Sequence, residues 1–161
     1  MSKFSIDRSK GKISDIKHNI VIKNNELSKL QENKKALLDA GTDIQASDID
    51  ENVQRILMEK INSSLEENAE NGEELSNEMN SDFDSIETMK LETDESIKSN
   101  QKEKVKLEQK KALLERFGLG SYLENGISEL EDNYTNLENL NENLIETEKE
   151  LSEVSQKLST L

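Results

Sequence analysis

Apolar residues recur along this chain at intervals of three and four, the spacing that puts them on one face of an α-helix. In the N-terminal stretch Ile13, Ile16, Ile20, Leu27, Leu30 and Leu37 alternate between a and d positions of a heptad, and Lys23 and Lys34 fill the two slots that interrupt it. In the C-terminal stretch Leu123, Leu130, Leu137, Leu144, Leu151 and Leu158 repeat every seven residues. Their companion d positions are Gly126, Asn133, Leu140, Thr147, Val154 and Leu161. A repeat of this length has the form of a coiled-coil seam. Between these stretches Ile49, Val53, Ile56, Leu57, Ile61 and Leu65 make one face. Leu75, Met79, Phe83, Ile86 and Met89 continue it past Gly72, and Val105, Leu107, Leu113, Leu114 and Phe117 resume it. The pattern predicts an all-α protein.

Pro is absent, so only Gly and polar clusters are left to end a helix. Two places read as breaks: Ala40-Gly41-Thr42-Asp43 and Phe117-Gly118-Leu119-Gly120-Ser121. In each, Gly can supply the left-handed residue that closes a helix. Ser47 with Asp50, and the capping box Ser121 with Glu124, read as starts of the helices that follow. The expected architecture is three or four long helices forming antiparallel helical hairpins, an elongated coiled-coil-like bundle. Residues 1–80 would make an N-terminal hairpin and 81–161 a C-terminal one. Residues 48–117 would be one continuous helix shared by both, or would break near Asn71-Gly72 or Asn80-Ser81. A short duplication fits this plan: Lys34-Lys35-Ala36-Leu37-Leu38 recurs as Lys110-Lys111-Ala112-Leu113-Leu114 ahead of the second break.

Composition narrows the chemistry. With 161 residues, no Cys and His18 as the single His, zinc sites, disulfide frameworks and Cys or His triads are excluded, and no cofactor is expected. The formal charge of -14 is unevenly spread. Residues 1–40 carry 9 basic and 5 acidic side chains, 41–98 carry 4 and 17, 99–116 carry 6 and 3, and 117–161 carry 2 and 10. A basic helix end therefore runs into a turn and meets an acidic helix, twice. The longest aliphatic run, Ile20-Val21-Ile22, is far short of a membrane span, and Met1 to Lys12 has no apolar signal-peptide core. The expected location is the cytoplasm, or outside the cell by a route without a Sec signal.

Candidate sites are sparse. Asp48, Asp50, Asn52 and Glu59 have the spacing of a calcium loop, but Val53 stands where that loop needs Gly. Paired carboxylates such as Glu66-Glu67, Glu73-Glu74 and Asp82-x-Asp84 read as solvated faces, because acid–base chemistry needs a pocket that shifts a pKa. Gly118-Leu119-Gly120 lacks the rest of a phosphate-loop pattern. Lys3, Arg8, Lys10, Lys12, Lys17 and Lys23 surround one aromatic, Phe4, which is thin support for nucleic-acid binding. The acidic stretch 41–98 has the charge density of a DNA mimic. No enzymatic activity and no small-molecule substrate are expected.

Tyr134-Thr135-Asn136-Leu137-Glu138 has the spacing of a Tyr-x-x-x-Asp/Glu element, Phe83-Asp84-Ser85-Ile86-Glu87 is a Phe version of it, and Phe117-Gly118 sits at a turn. With glycine turns, no Cys and no Sec signal, the chain resembles the small helical partner proteins of bacterial type VII secretion, the W-x-G-type proteins and the helical companions of LXG toxins. The resemblance implies a hairpin that pairs with another hairpin, and an export element at Tyr134 and Glu138. The Trp of the W-x-G turn has no counterpart here. The combined expectation is a non-catalytic helical interaction protein, an adaptor-like companion of a secreted toxin. The alternatives are an acidic DNA-mimic inhibitor and a self-associating coiled coil. The expected partner, a helical protein or a second copy, would meet the seam of Leu123, Leu130, Leu137, Leu140, Leu144, Leu151, Val154 and Leu158.

Overall fold

A computed structural model describes the backbone from Lys3 and the side chains from Ser5 to Leu161. Among the described residues the elements are α1 (Lys3–Gln45), α2 (Glu51–Glu115), a 3-10 turn (Gly120–Leu123) and α3 (Glu124–Ser159), with no strand. The chain is all-α. The middle helix is continuous: Asn71-Gly72 and Asn80-Ser81 both lie inside α2. Gly72 is tolerated there for a local reason. A Cβ at that position would come within 2.8 Å of the Leu161 side chain and 3.6 Å of Leu158, so α3 packs against the space a larger residue would fill.

The first break is displaced from its expected place. Gly41 does not end α1, which runs on to Gln45. Gly41 is buried, and a Cβ there would lie 3.5 Å from the tip of Met58. That is ordinary contact distance, so the helix simply continues through this glycine. The turn that does form is closed by side chains. Ser47 donates its hydroxyl to the Ile44 carbonyl at 2.6 Å, so it finishes α1 and does not start α2. Gln54 reaches back and donates to the carbonyls of Ile44 and Ser47 at 3.1 and 3.0 Å. Asp50 caps α2 by accepting from the Asn52 amide at 3.2 Å.

The second break falls where the glycines predict it. Gly118 has φ +72, its amide donates to the Glu115 carbonyl, and the Leu119 amide donates to the Leu114 carbonyl. That pair of bonds is a Schellman closure, which needs the left-handed residue. The capping box of Ser121 and Glu124 does not form. Ser121 lies in the 3-10 turn instead, and no side chain caps that turn.

The chain divides into two compact units, each assembled from pieces of all three helices. The first is Met1–Lys17 with Phe83–Lys149. Its core holds Ile6, Ile13 and Ile16 of α1, Ile86 and Met89 of α2, and Ile127, Leu137, Leu140 and Leu144 of α3. The second is His18–Asp82 with Glu150–Leu161. Its core holds Ile20 and Leu27, then Ile61, Leu75 and Met79, then Leu151 and Val154. Within the second unit Lys23 meets Asp82 and Asn33 meets Asn68, so facing positions fall along α2 as they rise along α1. Within the first, Lys90 meets Glu148, Lys104 meets Glu131 and Lys111 meets Glu124, with the same opposed order.

Two glycines give a paired test. Gly11 lies in α1 with nothing within 4 Å of a Cβ, so Gly11→Ala is expected to stabilise by roughly 0.5–1 kcal/mol. Gly118→Ala forces a side chain into positive φ and is expected to destabilise by about 1–2 kcal/mol. Thermal unfolding followed by circular dichroism should move in opposite directions for the two; a shared direction would contradict the helix-closure role of Gly118.

Candidate functional site

The leucine seam of α3 is largely covered by the chain itself. Leu137, Leu144 and Leu151 are fully buried, as are Leu140 and Val154, while Leu123, Leu130 and Leu158 are half-buried. In this conformation the seam is core, and a partner meets other residues first. The heptad also drifts at its start. Ile127 is buried where Gly126 holds the expected slot, and Leu107 would stand at ordinary contact distance, 3.5 Å, from a Cβ at Gly126.

The polar residues in the core stripe are placed by specific bonds. Lys23 is buried, and its ammonium pairs with Asp82, whose side chain is also largely covered. Asn68 is buried, accepts from the Asn33 amide at 3.0 Å and donates to the Leu30 carbonyl at 3.1 Å. Thr93 and Thr147 donate to carbonyls one turn back, at Met89 and Asn143. Lys34, the second Lys in the α1 heptad, donates to the Leu161 carbonyl. Asn100 is the exception: it is buried, and neither end of its amide has a hydrogen-bond partner.

Tyr134 and Glu138 lie one turn apart on α3. Glu138 accepts the phenol hydrogen bond and repels a phenolate, and partial desolvation adds to this; together they hold Tyr134 above the ordinary value of 10.0, against a bond from Gln101 that works the other way. Phe83 is half-buried in α2 and Glu87 is exposed beside it. Of the basic N-terminal positions, Arg8, Lys10 and Lys12 are exposed, Lys23 is committed to Asp82, and the Lys3 and Phe4 side chains lie outside the described residues.

The calcium-like spacing has no loop around it. Asn52, Val53 and Glu59 are already helical, and Asp50 is the cap of α2. Among the described residues no three His, Asp or Glu converge on a metal position. The paired carboxylates Glu66-Glu67 and Glu73-Glu74 are exposed. No described helix is long and apolar enough to cross a membrane.

The surface offers apolar side chains along the helices, at Val21, Ile22, Leu91, Val105 and Ile145, and at the two turns. Around the α1–α2 turn Leu38, Ile49, Val53 and Ile56 are 50, 41, 44 and 48% exposed. Around the α2–α3 turn Leu113, Phe117, Leu119 and Tyr122 are 56, 74, 42 and 78% exposed. Ile49, Val53, Ile56, Leu113 and Phe117 lie on the apolar faces read from the sequence, and their exposure emerges from the packing.

Two measurements check this account. Lys23→Met should cost about 3–5 kcal/mol in chemical unfolding, because it strands the Asp82 carboxylate, whereas Lys23→Met with Asp82→Leu should recover most of that loss. In a Tyr122→Phe background the remaining phenol can be titrated by its ultraviolet absorbance. Glu138→Gln should lower its midpoint, and an unchanged midpoint would remove Glu138 as the cause. Comparison with known proteins adds no relative: no family model, curated protein or solved structure matches this chain.

Proposed function

We propose that this chain is a non-catalytic helical interaction protein, built as antiparallel coiled-coil-like hairpins, that pairs with another helical protein. The observation that carries the reading is the row Ile49, Val53 and Ile56. Val53 and Ile56 lie three residues apart in the first turns of α2, Ile49 stands in the turn just before it, and all three stay about half in solvent. That spacing is what a second helix packs against. The buried leucine seam supports the same reading indirectly, because a chain that closes its own core can present a surface without unfolding. The resemblance to type VII secretion partners adds a companion role beside a secreted toxin, with Tyr134 and Glu138 as the export element. In that role the protein would work in the cytoplasm or leave without a Sec signal.

A second reading, the acidic DNA mimic, draws on one feature. Residues 18–82 and 150–161 carry 17 acidic and 7 basic side chains, and the α2 carboxylates of this stretch other than Asp82 face solvent. Salt separates the two readings, since a mimic binds through screened charge and an apolar row does not.

The test is affinity capture of the tagged full chain from its native lysate at low and high salt, with mass spectrometry of what is retained. The expected result is one helical protein held at both salts, with retention reduced by about tenfold or more in Val53→Asp. A nucleic-acid enzyme released as salt rises, and indifferent to Val53→Asp, would replace this reading with mimicry.

A further inference from the structure

We propose that the outer face of α2 in the first unit is a self-pairing seam, on which two copies of the chain meet antiparallel about a two-fold axis near Glu95 and Lys98. The inference goes beyond the capture of another helical protein and uses a different surface. The inner stripe of this part of α2 repeats in sevens as Ile86, Thr93 and Asn100, all buried. Two further rows in sevens lie on the opposite side of the helix. One is Asp84, Leu91, Lys98 and Val105, and the other is Thr88, Glu95, Lys102, Gln109 and Arg116. All of these residues are exposed. A shallow groove along the middle of the face is lined by Glu95, Lys98, Lys102 and Val105 among others.

The charge on these rows changes sign once. Asp84 and Glu95 come first and Lys98, Lys102 and Arg116 follow, with no cation before the change and no carboxylate beyond it. None of the five makes an ion pair among the described residues. At the edges of the face Glu87, Glu92 and Asp94 are exposed beside the first half, and Lys106 beside the second. Lys90, the cation nearest the first half, is held by Glu148. Glu108 and Glu115 border the second half, and each stands 3.9 Å from a lysine on its inner side, Lys104 and Lys111.

Such a face is complementary to itself when reversed. Parallel copies would set Glu95 on Glu95 and Lys98 on Lys98, and juxtaposed like charges suppress a pairing. Antiparallel copies set Glu95 against the partner's Lys98, twice, because a two-fold axis repeats each contact. The same register lays Leu91 on the stem of the partner's Lys102 and Val105 beside the partner's Thr88, so exposed aliphatic surface leaves water along the seam. The contact is isologous and stops at two copies. A nucleic acid is the rival occupant of the cationic half. Its phosphates would meet Asp84 and Glu95 on the same face and a net charge of -14, whereas a second copy answers both halves.

Sedimentation velocity of the full chain over a concentration series tests this. The expected result is a reversible dimer with no larger species. Glu95→Lys and Lys98→Glu each turn two attractions into two repulsions and should weaken the dimer by about tenfold. Mixing the two variants should restore it, because the mixed pair again sets a carboxylate against an ammonium at both crossings. Leu91→Lys, which loses the aliphatic contact and faces the partner's Lys102, should leave the chain monomeric. Each of these side chains is exposed, and circular dichroism checks that each variant stays helical. A wild-type chain that stays monomeric throughout, a species larger than a dimer, single variants that associate as the wild type does, or a mixture that fails to recover overturns the seam. A monomer that instead binds double-stranded DNA, and releases it in Lys98→Glu, assigns the cationic half to phosphate and overturns it as well. Val53→Asp lies off this face and should dimerise unchanged; loss of the dimer there would place the contact elsewhere and overturn it too. Capture of a different helical protein at Val53 stands or falls by its own experiment.

Discussion

Each helix of this protein buries one narrow stripe, and everything else is arranged around keeping that stripe in register. With five aromatics in 161 residues there is no bulky plug to lock the helices. The apolar positions are mostly Ile and Leu, each worth about 1.5–3 kcal/mol when buried, and a sliding helix would exchange one such residue for another at little loss. Polar residues in the stripe remove that freedom. Lys23 has one counter-charge, Asp82, and Asn68 has one matching pair of partners at Leu30 and Asn33. A slip by one heptad would leave those groups buried and unpaired, which costs far more than the exchange of one Leu for another.

The same stripe explains where the surface becomes interesting. Side chains on the stripe inside each unit meet pieces of all three helices and are covered, whereas Val21, Leu91, Val105 and Ile145 lie off the stripe and stay exposed. At the turns the supply of neighbours runs out, and Val53, Ile56, Phe117 and Tyr122 stay wet. The charge blocks visible along the chain end up beside these turns: carboxylates around residues 39–51 and ammonium groups around 106–116.

Much of this was legible in the sequence. The all-α class, the long C-terminal heptad and the Gly118 closure follow from spacing and from the conformational freedom of Gly. Gly41 and Gly72 were harder, because a glycine that ends a helix and one that admits a neighbour look identical without the neighbour. Gly72 has such a neighbour in Leu161, just past the end of α3, whereas Gly41 meets Met58 only at ordinary contact distance. Asn68, Thr93 and Asn100 were invisible to an apolar count, although they occupy the stripe as fully as any leucine. Of the candidate site, the leucine seam was readable as a line but not as an interior. Whether a stripe faces a partner or its own chain depends on how many helices pack against it, and no single stretch of sequence carries that number.

Asn100 gives the first unit a built-in point of weakness. A buried amide with no partner forgoes about 1–3 kcal/mol that water would return. Any fluctuation that admits solvent at Asn100 recovers that energy, so the layer opens at a smaller free-energy cost than the apolar layers of Ile86 and Leu144. Amide protons beside Asn100 would therefore exchange with solvent ahead of those next to Thr93 and Met89, although all three side chains are equally out of reach of water in the closed form. The weak point is a feature of the side chain and not of the backbone, since α2 is unbroken through it.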